Sequence, residues 1–203
     1  GNVIDPIEII NKFGLDQIRY FLLREITFGS DGDFSTSALK SRINSDLAND
    51  LGNLCQRSLT MINKHCNSKV PSATKISKTE KAFLSKISDK MDELSLHIEN
   101  QEINIYLKKI WDIIAEANKY FNDNRPWELK NSNKEEFDNI LYVTADIIKQ
   151  VAIMTYPVMP QTSIKILDLF SIPEDSIKIS TLSKNIENTD LGEAQPLFPR
   201  IEK

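Results

Sequence analysis

An all-α antiparallel helix bundle is the fold class that this sequence predicts, on three observations. Apolar residues recur at helical spacing through most of the 203 residues. With 6 glycines and 8 prolines there is little material for the many tight turns of a β-sandwich. Capping residues stand where the periodic segments begin. At 40% hydrophobic and 27% charged residues, the balance is that of a globular domain large enough to bury a core without disulfides or metals.

The first element is predicted over DPIEIINKF (5–13). Asp5 caps it, Pro6 takes the first helical position, Glu8 is placed to close a capping box and Gly14 ends it. A second helix follows over LDQIRYFLLREI (15–26), and FGSDGDFS (28–35) reads as a turn-rich connector. Ser35 then opens a long helical region. Its stripe consists of Ala38, Leu39, Ile43, Leu47, Leu51, Leu54, Leu59 and Ile62. Gly52 interrupts it at a cost of about 1 kcal/mol relative to alanine, and marks a bend or a close crossing. NSKVPSATKIS (67–77) is a loop.

Residues 78–100 are predicted as one helix with Phe83, Leu84, Ile87, Met91, Leu94 and Ile98 on its apolar face. Residues 101–124 form another, with Ile103, Leu107, Ile110, Trp111, Ile114 and Phe121 inward. Helices over 133–159 and 160–170 complete the bundle, and Glu135–Glu136 suit a solvated first turn. From Ser171 the chain is more polar and irregular. It ends in LGEAQPLFPRIEK, an extended segment expected to pack back through Leu197 and Phe198.

Charge and motifs exclude more than they assign. A net charge of −4 with a pI near 5.3 argues against non-specific nucleic-acid binding, though not against a local basic patch. No apolar run is long enough to span a membrane, and the opening GNVIDP is no signal peptide but reads like the middle of a longer chain. Cys55 and Cys66 lie eleven apart, about 16 Å along a helix axis, too far to bridge, and read as reduced buried thiols. His65–Cys66 has no second pair at metal-ligand spacing, and His65 and His97 suit surface or boundary positions. A calcium loop starting at Asp31 with Asp33 would need glycine at 36 and glutamate at 42, where Thr36 and Arg42 stand. No phosphate-binding glycine loop, nucleophile elbow or paired-histidine motif is present, so no catalytic residue is assigned.

Two features remain. In DLGNLCQRSL, Asn53 and Arg57 are four apart and project from one helix face. Both can make bidentate hydrogen bonds to base edges, although such a pair is commonly just a polar face. In FNDNRPWELK, Pro126 and Trp127 sit at a polar break, beside Arg125. The bland reading has the Trp127 ring packing on the bundle end with its N–H on a carbonyl. The functional one makes it a stacking platform for an unpaired base. Trp111 falls on the apolar face and is assigned to the core.

The opening 35 residues, GNVIDPIEIINKFGLDQIRYFLLREITFGSDGDFS, resemble the segment that follows the lysine–methionine–serine–lysine–serine loop of methionyl-tRNA synthetases. DLANDLGNLCQRSLTMI is similar to the first long helix of their anticodon-binding bundle, ANKYFNDNRPWELK to the segment around their anticodon tryptophan, and QPLFPRIE to their C-terminal strap. The resemblance covers nearly the whole chain. The bundle type is shared by several class I synthetases, whereas the combination of FGSDGDFS, NDLGN and PLFPRIE is more specific.

What the resemblance implies is concrete. Asn53, Arg57 and Trp127, with Pro126 beside the tryptophan, would read the anticodon CAU of tRNA-Met. Trp127 would stack on its first base, and Asn53 and Arg57 would hydrogen-bond to the splayed bases. The full-length enzyme would join methionine to tRNA with ATP and Mg2+, with Zn2+ left open. The catalytic motifs lie upstream in the family, so this chain is expected to hold no cofactor and to be non-catalytic alone. Residues 1–34 would be the tail of the stem-contact region, 35–190 the anticodon-binding bundle and 191–203 the strap. The partners would be the tRNA anticodon loop and the enzyme's own catalytic domain. A cytoplasmic monomer with no membrane contact is expected. The alternatives are the same domain in a synthetase for another amino acid, and a helical protein-interaction module without RNA binding.

Overall fold

The structure is a computed structural model and describes residues 5–26 and 34–201. The expected connector turn over 28–33, including Asp31 and Asp33, lies outside the described residues, as do the first four residues and the last two.

The lead-in is two short helices, α1 (Pro6–Phe13) and α2 (Leu15–Glu25). Asp5 Oδ1 caps α1 by accepting from the Ile7 N–H at 2.8 Å, so the cap bond goes to the second helical residue. Gly14 joins the helices at φ 97°, a conformation that disfavours any side chain. Two contacts lash α2 to the far end of the chain. Arg19 Nε and Nη2 donate to the carbonyls of Val158 and Pro157 at 2.7 and 2.8 Å. The buried Asp16 carboxylate accepts from the Thr162 N–H at 2.6 Å, in the first turn of α10 (Pro160–Leu169).

The long helical region runs without interruption but not with one pitch. It comprises α3 (Thr36–Arg42), a π-helical stretch (Ile43–Gly52) and α4 (Asn53–His65). Ser35 Oγ caps it at the Ala38 N–H. Leu39, Ile43, Leu47, Leu51, Leu54, Leu59 and Ile62 are all buried, as their spacing predicts, and Ala38 is half-buried. In a π-helix each N–H reaches one residue further back than in an α-helix. Here side chains of α7 (Ile103–Asn124) catch the carbonyls of the widened turns. Trp111 Nε1 donates to Asp46 O at 3.2 Å and Asn118 Nδ2 to Asp50 O at 3.1 Å. Trp111 is a core residue, its ring centroid 4.3 Å from that of Tyr20. Asp46 adds a buried polar hub: its carboxylate accepts from Tyr20 Oη at 2.7 Å, Ser45 Oγ at 2.6 Å and Arg42 Nη1 at 3.2 Å. Burial, then the Asp46 charge, pushes the Tyr20 hydroxyl far above its usual range.

Gly52 meets its own helix and the strap rather than a crossing helix. A Cβ there would stand 2.8 Å from Leu47 O and 3.5 Å from the Phe198 ring.

The helix expected over 78–100 is two, α5 (Lys78–Asp89) and α6 (Met91–Glu99), broken at Lys90 (φ −102°, ψ 7°). Serine side chains bond to backbone carbonyls just before the break, Ser85 Oγ donating to Ala82 O. Ser88 Oγ donates to Ser85 O, and Ser85 Oγ to Asp89 Oδ2. Leu94 is buried, while Ile98, counted inward by periodicity, lies in the last turn of α6 and is 46% exposed. A full capping box, Ser77 with Glu80, starts α5.

Helix α7 ends at Arg125, and after the four-residue α8 (Pro126–Leu129) the chain enters α9 (Lys134–Thr155), capped by Asn133. Helix α9 packs against α4, α5, α7, α8 and α10 and forms the centre of the bundle. Lys149 is buried within it, held by Asp146 Oδ1 and the Lys184 carbonyl at 2.6 Å each.

The tail folds back through short 3-10 turns and one antiparallel bridge, Lys69 with Asp190. No regular strand occurs among the described residues. Phe198 is buried and Leu197 partly so. Asn44 fixes the last described residue with two bonds, donating to Ile201 O and accepting from its N–H, both at 2.9 Å. Cys55 is buried and Cys66 half-buried, both free thiols, and His65 is exposed. His97 sits at the boundary with Nδ1 2.7 Å from Glu102 Oε2.

Candidate nucleic-acid interface

The turn that carries Trp127 is built by its neighbours. Arg125 takes the left-handed conformation, φ 45° and ψ 57°, and stops α7. The following proline disfavours the ordinary α conformation at this position, and the left-handed turn lets α8 start at once at a new angle. Pro126 occupies the first position of α8, where its lack of an N–H costs nothing, and its ring is buried. Trp127 comes next and remains 40% exposed, an unusual position for so large an apolar ring.

Three of the four sequence-predicted residues converge here. The Arg57 guanidinium lies over two rings, 5.2 Å from the centroid of Phe121 and 5.5 Å from that of Trp127. The two rings are tilted at 56°, centroids 6.1 Å apart. Arg57 Nη1 donates to Asn122 Oδ1 at 2.8 Å. Pro126 anchors the turn from inside. The sequence reading missed Asn122 as the residue that orients Arg57, and had Phe121 only as core. Their position just ahead of the Arg–Pro–Trp break was the available clue. Arg125 does not join the cluster; its Nη1 stands 3.5 Å from Glu128 Oε1.

Asn53, the fourth, sits one turn before Arg57 as the first residue of α4, and is exposed. It is set beside the C-terminal strap, where Asn49, Asn53, Gln56, Pro196, Phe198 and Arg200 help line a pocket of about 180 Å3. The arrangement offers an amide and a guanidinium on one face with an exposed aromatic ring beside them. Those are the groups that read splayed bases: forked donors for the edges and a π-face for stacking. Among the described residues no cluster of three histidines, cysteines or carboxylates could hold a metal ion.

Residues 70–199 match the family model described as the anticodon binding domain of methionyl tRNA ligase. The chain belongs to the methionyl-tRNA ligase family. Residues 1–59 match a second model, tRNA synthetases class I (M), so the lead-in helices and the start of α4 carry the same affiliation. The methionine–tRNA ligase of Brucella suis is 43% identical over 202 residues, covering 98% of this chain and 39% of the relative. That of Mycobacterium leprae is 38% identical over 207 residues, covering 100% and 38%. Apo Mycobacterium tuberculosis methionyl-tRNA synthetase superposes with a TM-score of 0.94 at 35% identity, over all of this chain and 42% of that one. The same enzyme in complex with methionyl-adenylate gives 0.94 at 36% identity, over 98% and 40%. The chain thus spans about two fifths of these methionyl-tRNA ligases, and it carries the family's anticodon-binding domain.

Proposed function

We propose that this domain reads the anticodon CAU of tRNA-Met through Asn53, Arg57 and Trp127, with Pro126 presenting the tryptophan. The observation that supports it most is the Arg57 guanidinium over the half-exposed Trp127 ring, one turn from the exposed Asn53. Without RNA, Arg57 rests on Phe121 and Trp127 and bonds to Asn122, so it is held in place before the ligand arrives. Pre-ordering of this kind lowers the entropy cost of binding. The first anticodon base stacks on Trp127, and Asn53 and Arg57 take the exposed edges of the splayed bases.

In this reading residues 1–34 belong to the stem-contact region, 35–190 to the anticodon-binding bundle and 191–203 to the strap. The complete enzyme is a cytoplasmic monomer that joins methionine to tRNA with ATP and Mg2+ in its catalytic domain, and this chain takes no part in the chemistry. No helix of the described residues is long and apolar enough to cross a membrane. The test is binding of a short RNA stem-loop carrying CAU, beside one with the first anticodon base changed, at one low salt concentration. A preference for CAU supports the reading. Equal binding of both loops, or of neither, overturns it.

A further inference from the structure

The arginines of this chain fall into different company. Arg42 is paired with the carboxylates of Glu25 and Asp46, and Arg125 with Glu128. Arg19 is spent on two carbonyls. Arg57 and Arg200 share another arrangement: each donates to the neutral side chain of an asparagine. Arg57 bonds to Asn122, and Arg200 Nη2 bonds to Asn49 Oδ1 at 2.5 Å. No carboxylate among the described residues pairs with either. A guanidinium oriented by an amide keeps its whole charge for an incoming anion, where one facing a carboxylate does not.

The placement is equally specific. Asn49, Asn53 and Arg57 follow one another at four-residue steps, about 12 Å from end to end by helix rise. Asn49, Asn53 and Arg200 line the same small pocket. Arg200 is exposed, yet the strap on both sides of it is tied down. Phe198 is buried against Gly52, and Ile201 is held by both bonds from Asn44. The exposed cation is therefore fixed at one end of the ridge whose other end is Arg57.

Resting on the anticodon reading above, we infer that the RNA-binding face continues past Asn53 to Asn49 and Arg200, and that Arg200 takes a backbone phosphate of the same loop. In a domain of net charge −4, such a contact supplies attraction that the overall charge withholds. It carries no base information, so it adds affinity without altering the choice of anticodon.

The experiment measures affinity of the CAU stem-loop for the wild-type chain, Arg200→Gln and Arg200→Lys at several salt concentrations. One phosphate contact to a single strand contributes about 0.7 to the slope of log K against log salt. Arg200→Gln should lower the slope by that amount, so that its deficit against wild type shrinks about 2.6-fold between 50 and 200 mM salt. Arg200→Lys should restore the slope, and all three proteins should keep the same preference for CAU. Thermal melting of the variants guards against a folding effect. An unchanged slope in Arg200→Gln overturns the inference while leaving the anticodon reading intact. A wild-type chain that does not distinguish the loops sinks both.

Discussion

Replacing Trp127 with alanine separates a stacking platform from a packing residue. The ring's structural contacts are few. It meets Phe121 at 6.1 Å and the Arg57 guanidinium at 5.5 Å, and 40% of it is exposed. Beyond the apolar area that the ring buries, an aromatic pair contributes about 0.5–1.5 kcal/mol and an exposed cation–π contact about 0.5–1 kcal/mol, so the loss of stability should be at least about 1–2.5 kcal/mol. Arg57 still rests on Phe121 and bonds to Asn122, so its own position survives. A domain of this size has about 5–15 kcal/mol in hand, so the variant stays folded, with its melting temperature lowered by at least about 2 °C. If a base stacks on Trp127, binding should fall by about 1–3 kcal/mol, or about 5- to 140-fold. Fluorescence anisotropy of a labelled CAU stem-loop reads the affinity, and circular dichroism the melting. The reasoning is refuted if affinity and anticodon preference are unchanged while melting drops.

Gly52→Ala should destabilise the chain by about 1–3 kcal/mol despite alanine's better helix propensity, because its Cβ would meet the Leu47 carbonyl at 2.8 Å; chemical denaturation checks this. For Glu80, burial works to raise the carboxyl, but bonds from Tyr120 Oη and the Ser77 N–H outweigh it and hold the group below its usual range. A carboxyl lowered in the folded state stabilises above the unfolded value, about 4.3, and loses that contribution as pH falls through the folded one. Melting of Glu80→Gln should accordingly lose part of the wild type's decline below about pH 4.3, and a parallel decline would show that Glu80 is not a source of it. Burial pushes the Cys55 thiol up to about 12 and, as the largest influence, Cys66 up to about 11. At pH 8 both should react with a disulfide reagent far more slowly than free cysteine, and denaturant should release both; fast reaction of the folded chain would contradict the burial.

Much of the bundle was legible because its logic is local. Asp5, Ser35, Ser77 and Asn133 cap helices, and the apolar stripes of the α3–α4 region and α7 follow from period alone, whereas α9 is buried on every side. The break at Lys90 was not, since serine side chains bond to backbone carbonyls beneath an apolar pattern that runs on across it. At the proposed interface, Asn53, Arg57, Pro126 and Trp127 were nameable from type and spacing. That Arg57 reaches across from α4 to lie on rings of α7 and α8 is tertiary information. So is the strap's return to Asn49, because 151 residues separate the two partners of that bond.

The π-helical stretch shows where a pattern can be read and its consequence still missed. Leu39, Ile43, Leu47 and Leu51 recur at a strict interval of four. On a helix of 3.6 residues per turn that interval drifts by about 40° per step, or about 120° over the run, which would carry Leu51 off the buried face. All four are buried, because the backbone widens enough to keep them in line. The wider turn weakens the local ladder, and Trp111 and Asn118 of α7 compensate by binding its carbonyls. Gly52 ends it, leaving room for the Leu47 carbonyl behind and for the Phe198 ring beside it. Asn53 is the next residue. It opens α4 with α7 bonded to the turns before it and the strap beside it, so in the proposed reading the small residue next to it is a condition of the interface rather than a flaw in the helix.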